Sequence, residues 1–345
     1  MRLDTTQTGT DEAAIVAAVR SGDEAAFTSL VERHRRELQV HCYRMLGSLE
    51  DAEDAVQETF LRAWRSRESF TGRGSFRAWL YRIATNASFD FLDKASGRIA
   101  AHSPETDSRE QLPPAEIPWL QPFPDRLLDH TAPKDDEPDS IVVAKETIEL
   151  AFLVVIQLLP PKQRAALILS DVLDWPAKDV AELLDTTIAS VNSALQRARA
   201  TLQRHLPTRR REWTTLNPDA EERALVQRYV DASERGDVQA IAQLLSDDVR
   251  FSMPPEPGSW TGRDAVVGGW VEGGFGSPSF GDFRCVVTRA NRMPAVACYL
   301  RKPGESEYRA FAVDVLKIED GRIAEITAFD IRPMLDAFGL PQTLP

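Results

Sequence analysis

Trp175-Pro176-Ala177-Lys178-Asp179-Val180-Ala181-Glu182-Leu183-Leu184, then Thr186-Thr187, then Ile188-Ala189-Ser190-Val191-Asn192-Ser193-Ala194-Leu195-Gln196-Arg197-Ala198-Arg199 is the stretch that decides the reading of this chain. It predicts a short helix, a tight connection and a longer helix, the sequence form of a helix-turn-helix. In the second helix Val191, Leu195, Ala198 and Leu202 recur at helical spacing and form a narrow apolar stripe for burial. Ala189, Ser193, Gln196 and Ala200 lie opposite, flanked by Asn192 on one side and Arg197 and Arg204 on the other, with Thr187 placed as the N-cap. Small residues allow close approach to a groove, while Asn, Gln and Arg offer paired hydrogen bonds to base edges.

The charge map qualifies that surface. The net charge of −12 over 345 residues excludes a protein that coats nucleic acid unaided. Only residues 140–211 are net positive, with 10 basic against 7 acidic side chains, and Arg197, Arg199, Arg204, Arg209, Arg210 and Arg211 concentrate that charge at one end. Affinity for phosphates is therefore local, and a partner is expected to hold the chain on its target. The length predicts two or three domains. No apolar run approaches membrane-spanning length, and the polar start from Met1 to Asp11 lacks a signal-peptide layout. Three cysteines, Cys42, Cys285 and Cys298, show no metal-type spacing and suit a reducing cytoplasm, each as a structural thiol. His41-Cys42 is expected to be packing, and neither metal nor cofactor is called for.

Working outward, residues 11–93 read as helices. Ser48-Leu49-Glu50-Asp51 is a capping-box start, and the helix after it should bury Ala52, Ala55, Val56, Thr59, Phe60 and Ala63. Its opposite face presents Asp54, Gln57, Glu58 and Leu61. A glycine- and aromatic-bearing turn, Phe70 to Phe76, precedes a helix from about Arg77 to Asp93. Glycine, arginine and aromatic side chains there offer what an unstacked base requires, although Phe76 and Trp79 by themselves read as core. Residues 94–139 hold 8 of the 22 prolines and an excess of acid, and so read as an extended linker carrying the patch Pro118-Trp119-Leu120-Gln121-Pro122-Phe123-Pro124. A helical block spans 140–206, a basic linker 207–218, and 219–335 an α+β domain. Its strands are expected at 249–253, 283–290, 295–301, 308–319 and 322–330, with Asp320-Gly321 as a hairpin turn.

Three passages in this order resemble a bacterial sigma factor of the sigma-70 family, of the extracytoplasmic-function (ECF) type. Residues 53–64 resemble the region-2 helix that grips the clamp of RNA polymerase; residues 74–86 look like the segment that melts and reads the −10 element; residues 159–203 resemble the region-4 domain that reads the −35 element. The resemblance implies two all-α domains, a region-2 bundle and a region-4 helix-turn-helix. It implies core RNA polymerase as partner, through the β′ clamp and β flap, with contacts at Asp54, Gln57, Glu58 and Leu61. It implies −10 contacts from Arg73, Phe76, Arg77, Trp79, Arg82 and Asn86, and −35 contacts from Asn192, Ser193, Gln196, Arg197 and Arg199. An anti-sigma protein stays open. The linker would either thread the polymerase cleft or dock onto the C-terminal domain.

The passages at 237–255 and 260–266 resemble the SnoaL-like branch of the nuclear-transport-factor-2-like superfamily, an α+β cone around a pocket. Together the chain resembles ECF factors with a SnoaL-like extension. Trp260 and Asp314 are the candidate pocket residues for a small ligand. All five histidines precede this domain, and Asp314 is its most plausible inward acid, on one face with Ala310, Ala312, Leu316 and Ile318, ahead of Asp248 and Glu256. The domain reads as regulatory and not enzymatic. The alternatives are a ligand-responsive helix-turn-helix factor acting without polymerase, and an isomerase- or cyclase-like enzyme fused to a DNA-binding module.

Overall fold

The computed structural model describes residues 17–70, 75–99, 117–128, 148–206 and 220–345. Helix starts follow their caps. Asp23 Oδ1 accepts from the Ala26 amide at 3.0 Å to open α1 (Glu24–Glu32). Helix α2 (Arg35–Leu46) is buried without a break from Leu38 to Leu46, the mark of a central helix, and stops at Gly47, whose φ of 75° suits the left-handed cap. Ser48 then caps α3 (Leu49–Arg65), accepting from the Asp51 amide at 3.1 Å. The expected stripe of α3 is buried at Ala52, Ala55, Val56, Thr59 and Ala63. Phe60 is the exception: it is half-buried, with the Arg35 guanidinium 4.9 Å above its ring. Helix α4 (Phe76–Ile99) runs six residues past the end expected at Asp93. His41 and Cys42 are both fully buried, and the His41 Nε2 pairs with Thr85 Oγ1 at 2.9 Å.

The chain divides into two compact units. The first takes in the described residues up to Ile99 together with Leu159–Arg199; the second takes in the described residues within 117–158 and 200–345. The domain edge expected at 140 lies outside the described residues. In the first unit α6 (Pro161–Leu167) begins on a proline, which has no amide to leave unpaired. It passes into a π-turn at Ile168–Val172, closed by Leu173 N donating to Ile168 O at 3.0 Å. Helix α7 (Ala177–Leu183) follows, then α8 (Ile188–His205), of which residues 188–199 belong to this unit. Arg164, 3% exposed, donates to Met45 O in the last turn of α2 and to Leu159 O at 3.1 Å. It thus satisfies a carbonyl that the helix cannot pair internally.

The second unit includes α5 (Leu150–Gln157), then α9 (Ala220–Glu234) and α10 (Val238–Leu244), ahead of a mixed sheet. Its strands are β1 (Leu245–Ser252), β2 (Ser259–Thr261), β3 (Asp282–Ala290), β4 (Met293–Arg301), β5 (Tyr308–Glu319), β6 (Arg322–Asp330) and β7 (Thr343–Leu344). Their order is β2-β1-β6-β5-β4-β3, with β7 on β5. Helix α11 (Arg263–Glu272) packs on β1, and α9 packs on β3. The last two expected long strands match residue for residue, because Asp320 and Gly321 both take positive φ in the turn between them. Strands β2 and β7 are additions to the expectation.

The segment expected to be a spacer is in part docked. Ile117, Leu120, Phe123 and Leu128 are each no more than 3% exposed, and Pro124 bridges to Ala290 at the end of β3. The β3–β4 turn holds it there. Asn291 and Arg292 take φ of 55° and 62°, and the Asn291 side chain is fully buried. Asn291 Oδ1 accepts from the Phe123 amide at 2.8 Å, its Nδ2 donates to Ile148 O at 2.7 Å, and its own amide donates to Phe123 O at 2.8 Å. Beside it, the Asp125 carboxylate accepts from the Arg292 amide at 2.8 Å and from Arg289 Nε at 3.2 Å. Burial raises the Asp125 pKa, and those bonds pull it back. Of the two fates expected for the linker, these residues take docking on the C-terminal fold.

Candidate functional site

The second helix of the helix-turn-helix buries the stripe its spacing dictates. Val191, Ala194, Leu195, Ala198 and Leu202 are between 0 and 8% exposed. Full burial of Val191, Leu195 and Leu202 contributes about 1.5–3 kcal/mol each, which fixes the roll of the helix. Thr187 Oγ1 accepts from the Ser190 amide at 3.1 Å and sets its start. Asp185, at φ 50°, makes the turn, and Thr186 N closes back on Ala181 O at 2.9 Å. With the roll fixed, Asn192, Ser193, Gln196, Arg197 and Arg199 are all exposed. Arg199 is engaged: its guanidinium grips Asp171 through two bonds of 2.9 and 2.6 Å, and this pairing raises its pKa.

On α3 the residues singled out for a protein partner share the outer face. Asp54 and Gln57 are exposed, and Leu61 is 51% exposed, a large apolar side chain open to a partner. Glu58 is half-buried and held by Arg62 Nε at 2.6 Å, while Arg62 Nη1 reaches Asp90 at 2.6 Å.

The residues named on and before α4 separate into four groups. Arg73 lies outside the described residues. Phe76, at 2% exposure, sits in an aromatic cluster with Phe70 (5.5 Å), Trp79 (5.3 Å) and His34 (6.0 Å), so its ring is closed to a base in this arrangement. Trp79 is half-buried in the same cluster. Arg77 is committed to Glu37 at 2.7 Å and lies 4.9 Å over the Tyr81 ring. Burial alone would raise the Glu37 pKa, but His34 and Arg77 outweigh it and hold it below the ordinary carboxylate range. Arg82 and Asn86, one turn apart, remain exposed, and no ion pair joins Arg82 to another described residue.

In the second unit Trp260 and Asp314 line one cavity of about 280 Å³. Its wall is aromatic: Phe251 packs on Trp260 (5.7 Å) and Trp270 (5.3 Å), and Phe283 packs on Phe275 (5.7 Å) and Phe311 (5.8 Å). Gly269 lets the Trp260 indole lie flat against α11, since a Cβ there would meet Trp260 Nε1 at 3.1 Å. Asp314 is half-buried, shielded from bulk water but facing the cavity. Its Oδ2 accepts from the Tyr229 hydroxyl at 2.9 Å and the Cys298 thiol at 3.5 Å. Desolvation lifts its pKa to about 6, opposed by those two donors. Asp314 does not share a face with Ala310 as expected. The β4–β5 register slips between Cys298 and Tyr299, so Phe311 is the extra residue of a bulge, and Phe311 and Ala312 both line the cavity. Asp248 and Glu256 are not among its lining residues.

Sequence reasoning missed Tyr229 and Cys298, which orient Asp314, and Asn291, which holds the linker. Among the described residues no His, Cys, Asp and Glu cluster suits a metal ion, and no helix is long and apolar enough to cross a membrane.

The chain matches three protein families: Sigma-70 region 2 over residues 30–98, Sigma-70 region 4 over 149–202, and the SnoaL-like domain over 226–326. It is 38% identical over 340 residues to the ECF RNA polymerase sigma factor SigG of Mycobacterium tuberculosis, covering 95% of this chain and 89% of that protein. It is 30% identical over 306 residues to SigJ of the same organism, covering 86% and 88%. The crystal structure of SigJ aligns with a TM-score of 0.56 at 26% identity, over 91% of this chain and 99% of that one. Helical sigma regions 2 and 4 precede a SnoaL-like sheet domain, and the chain belongs to the ECF RNA polymerase sigma factors.

Proposed function

We propose that this sigma factor binds core RNA polymerase chiefly through Asp54, Gln57, Glu58 and Leu61 of α3, with the β′ clamp as the partner there and the β flap as the partner of the region-4 domain. It reads the −35 element with Asn192, Ser193, Gln196 and Arg197. Arg82 and Asn86 form the open part of the −10 surface; Arg73 belongs to it by sequence, Arg77 and Trp79 at its edge, and Arg199 contacts phosphate after parting from Asp171. The observation that carries this reading is the roll of α8: its apolar stripe is buried and its hydrogen-bonding side chains stand together on the outside. Selecting promoters from a randomised library with the polymerase-bound wild type and Gln196→Ala tests it. A bidentate base contact is worth about 1–3 kcal/mol, so preference at one or two −35 positions should relax roughly 5- to 150-fold. An equal loss on every sequence would demote Gln196 to a backbone contact.

The free chain holds its two readers in one unit. Tyr81 on α4 packs 5.3 Å from Trp175, just before α7, and Arg164 bonds α2. Elements at −10 and −35 are separated by about 25 base pairs, or roughly 85 Å of B-DNA. A compact unit of about 140 residues is roughly 40 Å across. Polymerase binding must therefore part α6–α8 from α2–α4, and the contacts of Arg164 and Trp175 oppose that step.

The SnoaL-like domain serves regulation in this reading, by holding the linker at Phe123–Asp125, and its cavity accepts a small apolar ligand. No turnover of a small-molecule substrate is assigned to Asp314, whose Oδ2 accepts from Tyr229 and Cys298.

A further inference from the structure

Strand β3 is an edge of the sheet, and its register with β4 sets Cys285 directly opposite Cys298. Their sulfurs are 3.8 Å apart. The Cys285 amide does not point at β4: it donates to Glu234 Oε1, at the end of α9, at 2.9 Å. Since the amide and carbonyl of a strand residue point to the same side, Cys285 and Cys298 form a non-hydrogen-bonded pair, the closer of the two antiparallel types at about 4.5 Å between Cα atoms. That separation lies inside the roughly 4.4–6.8 Å that a disulfide spans. Cys285 is half-buried and reachable, whereas Cys298 is 5% exposed, lines the cavity and has Asp314 Oδ2 at 3.5 Å.

We propose that Cys285 and Cys298 are an oxidisable dithiol beside the cavity, with only Cys298 in its wall, closed to an intrachain disulfide by peroxides, with Asp314 receiving the Cys298 proton. Cys285 attacks the peroxide: an S–O bond forms, the O–O bond breaks, and water or an alcohol leaves, giving Cys285 sulfenic acid. Cys298 then attacks that sulfur as its proton passes to Asp314. The S–S bond forms, the S–O bond breaks, and the departing hydroxide takes that proton from Asp314 and leaves as water. The two thiols lose two electrons and two protons, and the peroxide is reduced. Asp314 sits above the ordinary carboxylate range at a pKa of about 6, which suits it to this transfer. Closure draws the sulfurs from 3.8 Å to about 2.05 Å and removes the thiol donor from Asp314, so the cavity wall changes with the redox state. Oxidation sensing is the usual role of such a pair in a reducing compartment. Cys42 is an internal control, fully buried with its thiol pushed up to about 12. The site is independent of any DNA-contacting residue.

Hydrogen peroxide added to the reduced full-length chain, followed by alkylation and peptide mass analysis, tests this. The expected product joins the Cys285 and Cys298 peptides with the loss of two hydrogen atoms, leaves Cys42 alkylated, and reopens with dithiothreitol. In Cys298→Ser, Cys285 should stop at a sulfenic acid that dimedone traps. In Asp314→Asn, closure should slow at least ~10-fold while sulfenic acid forms at the wild-type rate. Overoxidation of Cys285 without a cross-link, or a disulfide between two chains, would overturn the proposal. Closure in Asp314→Asn at the wild-type rate would overturn the role given to Asp314.

Discussion

Asn291→Ala removes the centre of the linker clamp. Two buried groups lose their partners, the Phe123 amide and the Ile148 carbonyl, now bonded at 2.8 and 2.7 Å. Each buried polar group left unpaired costs about 1–3 kcal/mol, so the local loss is about 2–6 kcal/mol. Alanine at φ 55° adds about 1 kcal/mol of backbone strain. Asn291→Gly loses the same side-chain bonds without that strain and should fall about 1 kcal/mol short of the alanine variant. Amide hydrogen exchange reads the effect directly. Protection of residues 117–128 should drop at least ~30-fold, the equivalent of 2 kcal/mol, while helix α3 in the other unit keeps its rates. Exchange at Phe123 within about threefold of wild type would mean that the segment is held by Leu120, Phe123 and Leu128 packing alone, and the clamp argument would fail.

Leu61→Ala should weaken core polymerase binding about tenfold with no loss of thermal stability, because the side chain is 51% exposed before binding; a fallen Tm would mark it as core instead. Arg164→Met strips the donor from Met45 O and Leu159 O, so it should lower the Tm of the first unit and raise initiation at limiting polymerase; slower initiation would contradict the parting step. Asp314 binds its proton more tightly folded than unfolded, with a pKa near 6 against an ordinary 3.8, so its contribution to stability is lost as pH rises through 6. Between pH 5 and 8 wild type should lose about 1.4 kcal/mol relative to Asp314→Asn in urea unfolding, and a flat difference would refute the raised pKa.

Where local chemistry dictates geometry, the sequence was readable. The Val191, Leu195, Ala198 and Leu202 stripe needed only the helical period, and the Asp320-Gly321 turn announced itself by residue type. What escaped depends on partners far along the chain. Nothing local says that Arg199 turns to Asp171, that Arg77 turns to Glu37, or that Phe76 closes into a cluster with His34. The Asn291-Arg292 turn was missed because arginine rarely takes positive φ. That one omission hid two features, since counting outward from it pairs Cys285 with Cys298 and places Asn291 beneath Phe123. The bulge at Phe311 has no residue signature, so strict alternation assigned Ala310 to the wrong face.

Run-off transcription by purified core RNA polymerase, with and without the chain, on a randomised promoter library tests the central claim most directly. The account predicts initiation only when the chain is present, from a defined pair of −35 and −10 sequences, with the −35 preference relaxed in Gln196→Ala and unchanged in Asn291→Ala. Initiation from no promoter, or sequence-specific DNA binding by the chain that core polymerase does not alter, would contradict it.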